Sequence, residues 1–551
     1  MRKIYIIILV SLIGYTTQAQ DFIKNATING SFQVDGQFYQ VDDALGITDS
    51  VIGGKRIGLN GFGKITYSYG NFSAGMRYEA FLSPISGFDS RQEGSGFPNI
   101  WASYHTDMID VTVGDFYEQF GNGLILRSYE EWTLGYDNAL NGMRLVLRPM
   151  PGITIKGLYG SQRFFWTKFE RDSRGIVRGL DAEVDFNSLV KKWESSKVRV
   201  IVGASGVSKY QRDTDPLYNL PENVGAFAGR VNLNVGKLGF MTEYGNKIND
   251  PSATNGFIYQ DGKALLSSLS YSQRGFGVSL QMKRVQNMSF KSDRGISSNA
   301  LDINFLPPIN RTHAYSLTAK YPYATQPNGE MGVQFQMNYK IPKGSKLGGK
   351  YGTGIAVNFS QVNDIVRDTI DKGEPGTLGY SSDFFKVSDA IFFRDFNIDI
   401  DKKFNAKWKA VVQYMNLYYD IVTLQGHPKE DAVKAHIALA DVTWSFRSDK
   451  SVRFELQNLW TKQDKGNWAA ALVEYTIAPT WFFTLADQYN YGNKDKEARN
   501  HYYIISAGYI KDASRIALTY GRQSEGVLCV GGVCRQVPAA SGLTVTITTS
   551  F

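Results

Sequence analysis

The chain alternates almost from its beginning. Val333-Gln334-Phe335-Gln336-Met337-Asn338-Tyr339-Lys340-Ile341 sets apolar and polar residues on alternate positions. Val452 to Gln457 does the same, with Arg453 and Glu455 on the second face. The pattern starts near Ala26–Phe32 and recurs at 57–69, 153–158, 392–400, 408–414 and 516–520. The chain stops on it, in Ser541-Gly542-Leu543-Thr544-Val545-Thr546-Ile547-Thr548-Thr549-Ser550-Phe551. Successive side chains of a strand point to opposite faces, so period two predicts strands with two unlike faces. Helical periodicity is convincing nowhere, and the fold class is all-β.

The connections are lopsided. Tight turns are predicted at Gly70-Asn71, Asp107-Met108, Pro149-Met150, Gly236-Lys237, Arg274-Gly275, Lys402-Lys403, Ser448-Asp449, Ala478-Pro479 and Lys511-Asp512. Long polar loops are predicted at 83–99, 211–222, 286–311, 364–386, 425–431 and 492–500. Short turns on one rim and long loops on the other describe a transmembrane β-barrel, with periplasmic turns and extracellular loops. Tyr67, Tyr69, Phe72, Trp444, Phe446, Trp481 and Phe482 flank the tight turns, as an interfacial aromatic girdle requires. A soluble sandwich also alternates, but it lacks this asymmetry between rims, and no fixed-period blade motif supports a propeller.

The N-terminus points to export. Arg2 and Lys3 precede an apolar run from Ile4 to Tyr15, and Thr17-Gln18-Ala19 offers small residues where a signal peptidase reads. The run is shorter than the roughly 20 residues a spanning helix needs. A signal peptide over 1–19 is expected, removed after Ala19, with the barrel occupying 20–551. Composition agrees with a protein held together by sheet. Of its 551 residues 55 are Gly, aromatics make up 13%, and only two are Cys. The formal net charge of +8 is mild for this length, and no basic stripe suggests nucleic acid.

We count about 25 strand-like segments of roughly ten residues, a length that suits a tilted membrane strand. Both termini belong on the short-turn side, so the number is even: about 24, with 22 to 26 allowed. Strands and loops cannot be placed in phase over 287–390. The last strand must pair with the first to remove the sheet edge. The terminal Phe551 resembles the aromatic ending of bacterial outer-membrane proteins, which implies reading by the barrel-assembly machinery. Gly114 to Pro149 (GDFYEQFGNGLILRSYEEWTLGYDNALNGMRLVLRP) and Lys343 to Ser360 (KGSKLGGKYGTGIAVNFS) resemble segments of an uncharacterised outer-membrane β-barrel family of Bacteroidota. That resemblance implies fold and location in the outer membrane, and no activity.

The Gly114–Pro149 stretch also carries the richest chemistry. Asp115, Glu118, Glu130, Glu131 and Asp137 stand with Arg127, Arg144 and Arg148, and Gly121 and Gly123 permit a sharp bend. Arg144 and Arg148 share a strand face opposite Met143, Leu145 and Leu147, so they are expected to point into the lumen. Residues 114–140 are therefore a candidate inward-folded segment. Its charges either form a constriction that filters solutes or form a salt-bridged brace for a wide barrel. Cys529-Val530-Gly531-Gly532-Val533-Cys534 reads as a hairpin with opposed cysteines, and a disulfide is expected.

No catalytic motif is found. His105, His313, His427, His436 and His501 show neither metal-ligand spacing nor a partner nucleophile, and neither metal nor cofactor is expected. His436 alternates with Lys434 on what reads as a polar face. The leading expectation is a pore for small solutes. The alternatives are a non-conducting scaffold for envelope proteins and a surface binder working through its long loops. The absence of an N-terminal plug domain argues against an energised receptor.

Overall fold

A computed structural model describes residues 26–166, 175–297, 300–373, 377–530 and 533–551. The expected leader at 1–19 and the Gly531-Gly532 turn lie outside these. Among the described residues, 24 strands form a single antiparallel sheet. It runs from Thr27–Tyr39 to Ala540–Ser550, and these two strands pair with each other, with Val34 opposite Ile547 and Asp35 opposite Thr546. The sheet is thus closed and has no edge. The backbone of Phe551 completes the seam, exchanging both hydrogen bonds with Gly30 at 2.9 Å. Its ring lies over that glycine, where a Cβ would stand 2.2 Å from the ring tip.

Alternation sorts the residues as period two demands. On the first strand Ile28, Phe32 and Phe38 face outward, about half exposed, while Gln33, Asp35 and Gln37 face the lumen. On the last, Leu543, Val545 and Ile547 face outward beside them, and Thr544, Thr546 and Thr548 face inward. Outward apolar residues recur on strand after strand, including Leu180, Phe227, Leu456, Leu485 and Leu518. A continuous apolar belt of this extent is far larger than the patches soluble monomers tolerate. At the short-turn rim the rings of Trp408 and Trp444 stack at 5.5 Å, and those of Trp481 and Tyr509 meet at 4.6 Å.

Several boundaries differ from the sequence reading. Strand Leu140–Met150 continues through Pro149-Met150, so the turn falls at Pro151-Gly152. Strand Val387–Lys403 keeps pairing to Lys403, opposite Lys409, and the turn moves to 404–407. Ladder hydrogen bonds persist in both places, beyond the point where charge and proline suggest a stop. The region 287–390 holds two barrel strands, Gly329–Ile341 and Thr353–Ile365, and the start of a third, Val387–Lys403. Its connection 287–328 is much longer than the expected loop 286–311, and it enters the lumen instead of capping the rim. The hairpin Gly526–Val530 and Val533–Val537 sits on the long-loop rim with Cys529 opposite Cys534, joined by a disulfide.

If the outward rows meet acyl chains, neighbouring residues of one strand must respond oppositely to charge. Leu518→Arg, on the outer face, is expected to lower stability by about 2–4 kcal/mol. Thr519→Arg, on the lumen face, should cost less than half as much. Urea unfolding of the protein in lipid vesicles measures both; equal losses would contradict the assignment of faces.

Candidate functional site

Two chain segments fold into the lumen from the long-loop rim. The first, 117–139, follows strand Ile109–Phe116. Its tip is tight: Phe120 N donates to Leu126 O at 3.1 Å and Gly123 N to Phe120 O at 2.9 Å. Gly121 and Gly123 both take positive φ there, which only glycine adopts at low cost. The tip reaches strand Leu238–Lys247, where the Asn122 backbone N and Nδ2 each donate to Glu243 at 2.7 Å. The second segment, 287–328, pairs with the first through Arg127 N to Ile303 O at 2.8 Å and Phe305 N to Gly123 O at 2.9 Å. It then crosses to the far wall, where Tyr315 donates to Asp441 at 3.0 Å, Leu317 N to Gln457 at 3.0 Å and Tyr321 to Asp464 at 2.7 Å.

The two segments build a dry core inside the barrel. Phe120, Leu124, Ile125, Leu126, Met288, Phe290 and Leu317 are almost fully buried. The wall answers in kind. Val433, Ala435, Ile437 and Leu439 point inward and are buried, and so do Met415, Leu417 and Tyr419 on the neighbouring strand. At these strand ends the apolar face therefore turns to the lumen, contrary to the rule that apolar faces meet lipid. The reason is the inward segments, which supply an apolar partner there. His436 correspondingly sits on the outer face, hydrogen-bonded to the Tyr414 hydroxyl at 2.7 Å.

The charged residues singled out from the sequence fall into separate places. Glu130 and Asp137 join a buried network with Arg77, Glu79, Tyr117 and Arg163. Arg77 Nε donates to Glu79 at 2.7 Å, and its other nitrogens pair with Glu130 and Asp137. Arg163 donates to Glu79 and to Asp137, both at 2.6 Å. The Tyr117 hydroxyl donates toward Glu130 at 3.0 Å and Asp137 at 3.1 Å. Burial raises the Asp137 carboxyl, but Arg163 and Arg77 more than offset this and hold it below its ordinary value. Glu118 and Arg144 form a second group: Arg144 Nε donates to Glu118 at 2.5 Å and its Nη1 to Asp110 at 3.1 Å, while Lys156 donates to Glu118 at 2.8 Å.

The remaining four residues stand apart from both groups. Asp115 accepts from Ile100 N at 2.7 Å and Asn141 Nδ2 at 2.9 Å, holding its strand between two neighbours. Arg127 packs against the rings of Tyr129 and Phe305, 4.5 and 4.1 Å from their centroids. Glu131 accepts from Thr133 Oγ1 at 2.6 Å and caps a single helical turn, Trp132–Leu134. Arg148 buries one guanidinium nitrogen without a hydrogen-bond partner.

Sequence reasoning passed over Arg77, Glu79, Asp110, Lys156 and Arg163. Arg77 and Glu79 gave a usable signal: they sit two apart on one face of strand Phe72–Leu82, opposite Met76, Tyr78 and Ala80. Opposite charges at that spacing on an otherwise apolar strand mark its lumen side.

One sector of the lumen is not covered. Around the seam the inward residues Ser31, Gln33, Asp35, Thr484, Ser506, Thr519, Thr544, Thr546 and Thr548 are only half-buried. They are small and mostly hydroxylated. Thr546 donates to Asp35 at 2.9 Å, and Ser506 and Thr519 share a hydrogen bond at 2.8 Å. Away from the seam, inward residues such as Glu243, Asp395 and Gln457 are buried beneath the segments and bonded to them.

The family described as "Family of unknown function (DUF6029)" matches residues 1–551, and the chain belongs to it. No curated protein matches this chain. Among solved structures it is similar to the translocation pore of the P pilus usher PapC, at 9% identity over 95% of this chain and 99% of that one, with a TM-score of 0.41. It is also similar to the siderophore receptor PirA of Pseudomonas aeruginosa, at 9% identity over 95% of this chain and 80% of that one, TM-score 0.38. The P. aeruginosa protein OccK3 (OpdO) shows 11% identity over 81% and 98%, TM-score 0.37. These are distant likenesses of general architecture.

Asp137 joins the inward segment to two wall arginines. Asp137→Ala is expected to cost about 3–5 kcal/mol, because it leaves Arg77 and Arg163 short of an anion in a buried site. Its carboxyl is depressed in the folded state. The contribution is therefore complete above the unfolded carboxylate value, near pH 4, and is lost as pH falls through the lower folded value. Denaturant unfolding of wild type and variant at pH 7 and at about pH 3 should show the gap between them shrinking in acid.

Proposed function

We propose that this member of the DUF6029 family is an outer-membrane channel for small hydrophilic solutes, with its passage along the seam. The observation that carries this reading is the unequal filling of the lumen. A closed barrel of 24 strands is too wide for side chains alone to fill, so its interior holds water, a plug, or both. Here the two inward segments occupy the sector from strand Ile57–Tyr69, where Phe62 stacks on Trp132, round to Trp468–Ile477, where Lys320 lies over the Trp468 ring. The seam sector keeps a wall of threonine, serine and glutamine that can stay hydrated. Small hydroxyl side chains offer both donors and acceptors, which suits polar solutes. Charged residues share this face: Asp35 on the first strand, Lys64 opposite Ser31, Arg515 opposite Thr548, and Glu474, which accepts from Thr484.

In this reading Arg144 and Arg148 do not set selectivity. Arg144 is already neutralised by Glu118 and Asp110, on the filled side. A second reading, a non-conducting scaffold, draws support from the dry core that the segments build. The two readings part on conduction.

The only cysteines are joined to each other, so an introduced thiol can be labelled selectively. Thr519→Cys is expected to form discrete channels in planar bilayers, and a bulky methanethiosulfonate reagent should reduce their conductance sharply. Ser451→Cys, on a strand of the filled side, should be much less sensitive. Absence of conductance in wild type would favour the scaffold; equal block at both positions would place the path elsewhere.

A further inference from the structure

On the long-loop rim a cavity of about 360 Å³ opens between the disulfide hairpin, the loop 83–93, the end of the first inward segment and residues 163–165. That volume lies within the usual range of small-molecule sites. Its walls include Phe88, Arg91, Tyr136, Arg163, Phe165 and Arg535.

The three arginines are not equivalent. Arg91 is neutralised by Asp89 at 2.6 Å, and Arg163 by Glu79 and Asp137 at 2.6 Å. Among the described residues Arg535 has no such partner. Its guanidinium lies over the Phe88 ring at 4.1 Å, and its Nε and Nη1 are buried without any hydrogen bond. Burial depresses its pKa, and among the described residues no carboxylate acts in the other direction. A guanidinium keeps its proton under all ordinary conditions, so the site carries an uncompensated, partly desolvated cation. Gln92, also in the wall, buries its Oε1 without a hydrogen-bond donor. Flat apolar faces stand beside these groups, at Phe88 and Phe165. The cavity thus combines a positive charge, an unmet acceptor and ring surfaces.

We propose that this cavity binds a small ring-bearing carboxylate, its head paired with Arg535 and its ring held against the aromatic walls, with a ring hydroxyl able to donate to Gln92. A charge-assisted hydrogen bond from Nη2, the guanidinium nitrogen not buried in this way, supplies the orientation. The disulfide between Cys529 and Cys534 gives the hairpin a role here, because Arg535 follows Cys534 directly and is held over the cavity by that link. The site faces the long-loop side and does not depend on conduction through the seam.

Calorimetric titration of the detergent-solubilised full chain tests this, with glucuronate and benzoate as probes and glucose and benzyl alcohol as their neutral counterparts. At least one of the two anions should bind, and its neutral counterpart should not. Glucuronate alone identifies an acidic sugar as the ligand; benzoate alone identifies an aryl acid. Arg535→Gln should weaken binding by about 30-fold or more. Lys494→Gln, which removes a charge from the loop 490–500 outside the cavity wall, should leave it unchanged. A melting temperature like that of the wild type shows that Arg535→Gln still folds. No binding of either anion to wild type, or equal affinity in Arg535→Gln, overturns the proposal.

Discussion

Inside a bilayer no water is available to a peptide group, so every N–H and C=O must find its partner within the protein. For strands that demand has one solution, a sheet with no edge. The pairing of Thr27–Tyr39 with Ala540–Ser550 meets it, and the last residue takes part through its backbone bonds to Gly30. Closure also fixes the two faces. With one side committed to lipid, a register slip of one residue would turn a row such as Leu543, Val545 and Ile547 inward and its threonines outward.

Closure at this size creates a second problem, the interior. The chain fills much of it with two of its own connections, and it uses two kinds of bond. The apolar tip of 117–139 and the apolar residues of 287–328 pack against strand ends that are themselves apolar on the inside. Nearer Arg77 and Arg163 the same first segment is held by carboxylate–guanidinium pairs. Breaking one partner of such a pair costs more than the pair contributes, so the network works chiefly as a lock on one arrangement. Its position is specific: Asp137 sits where the segment returns to the wall, and Asn122 sits where it touches the opposite one.

Strand existence was legible because period two survives in the sequence wherever one face meets lipid and the other meets polar lumen. Strand Gly329–Ile341 and the terminal strand read without ambiguity for that reason. The inward segments were only half legible. Residues 117–139 showed themselves through an excess of charge and two glycines. Residues 287–328 carry no periodicity, and their partners Asp395, Asp441 and Gln457 lie far along the chain. The same absence explains His436. On Val433–Ser445 the alternation is plain, but which face is inner depends on a segment more than 100 positions away, so the strand was legible and its orientation was not. Arg535 was invisible for another reason: an arginine is marked as unusual by the partners it lacks, and those are known only in three dimensions.

Fold and lumen alike depend on the outward rows touching acyl chains while their neighbours on the same strand face water. Nitroxide labels placed singly at Ile516, Ala517, Leu518, Thr519 and Tyr520 in lipid vesicles measure this directly. Labels at 516, 518 and 520 should be relaxed by dissolved oxygen and shielded from a water-soluble nickel chelate, and those at 517 and 519 should show the reverse. A uniform response along the strand, or oxygen-accessible sites on the threonine face, would contradict it.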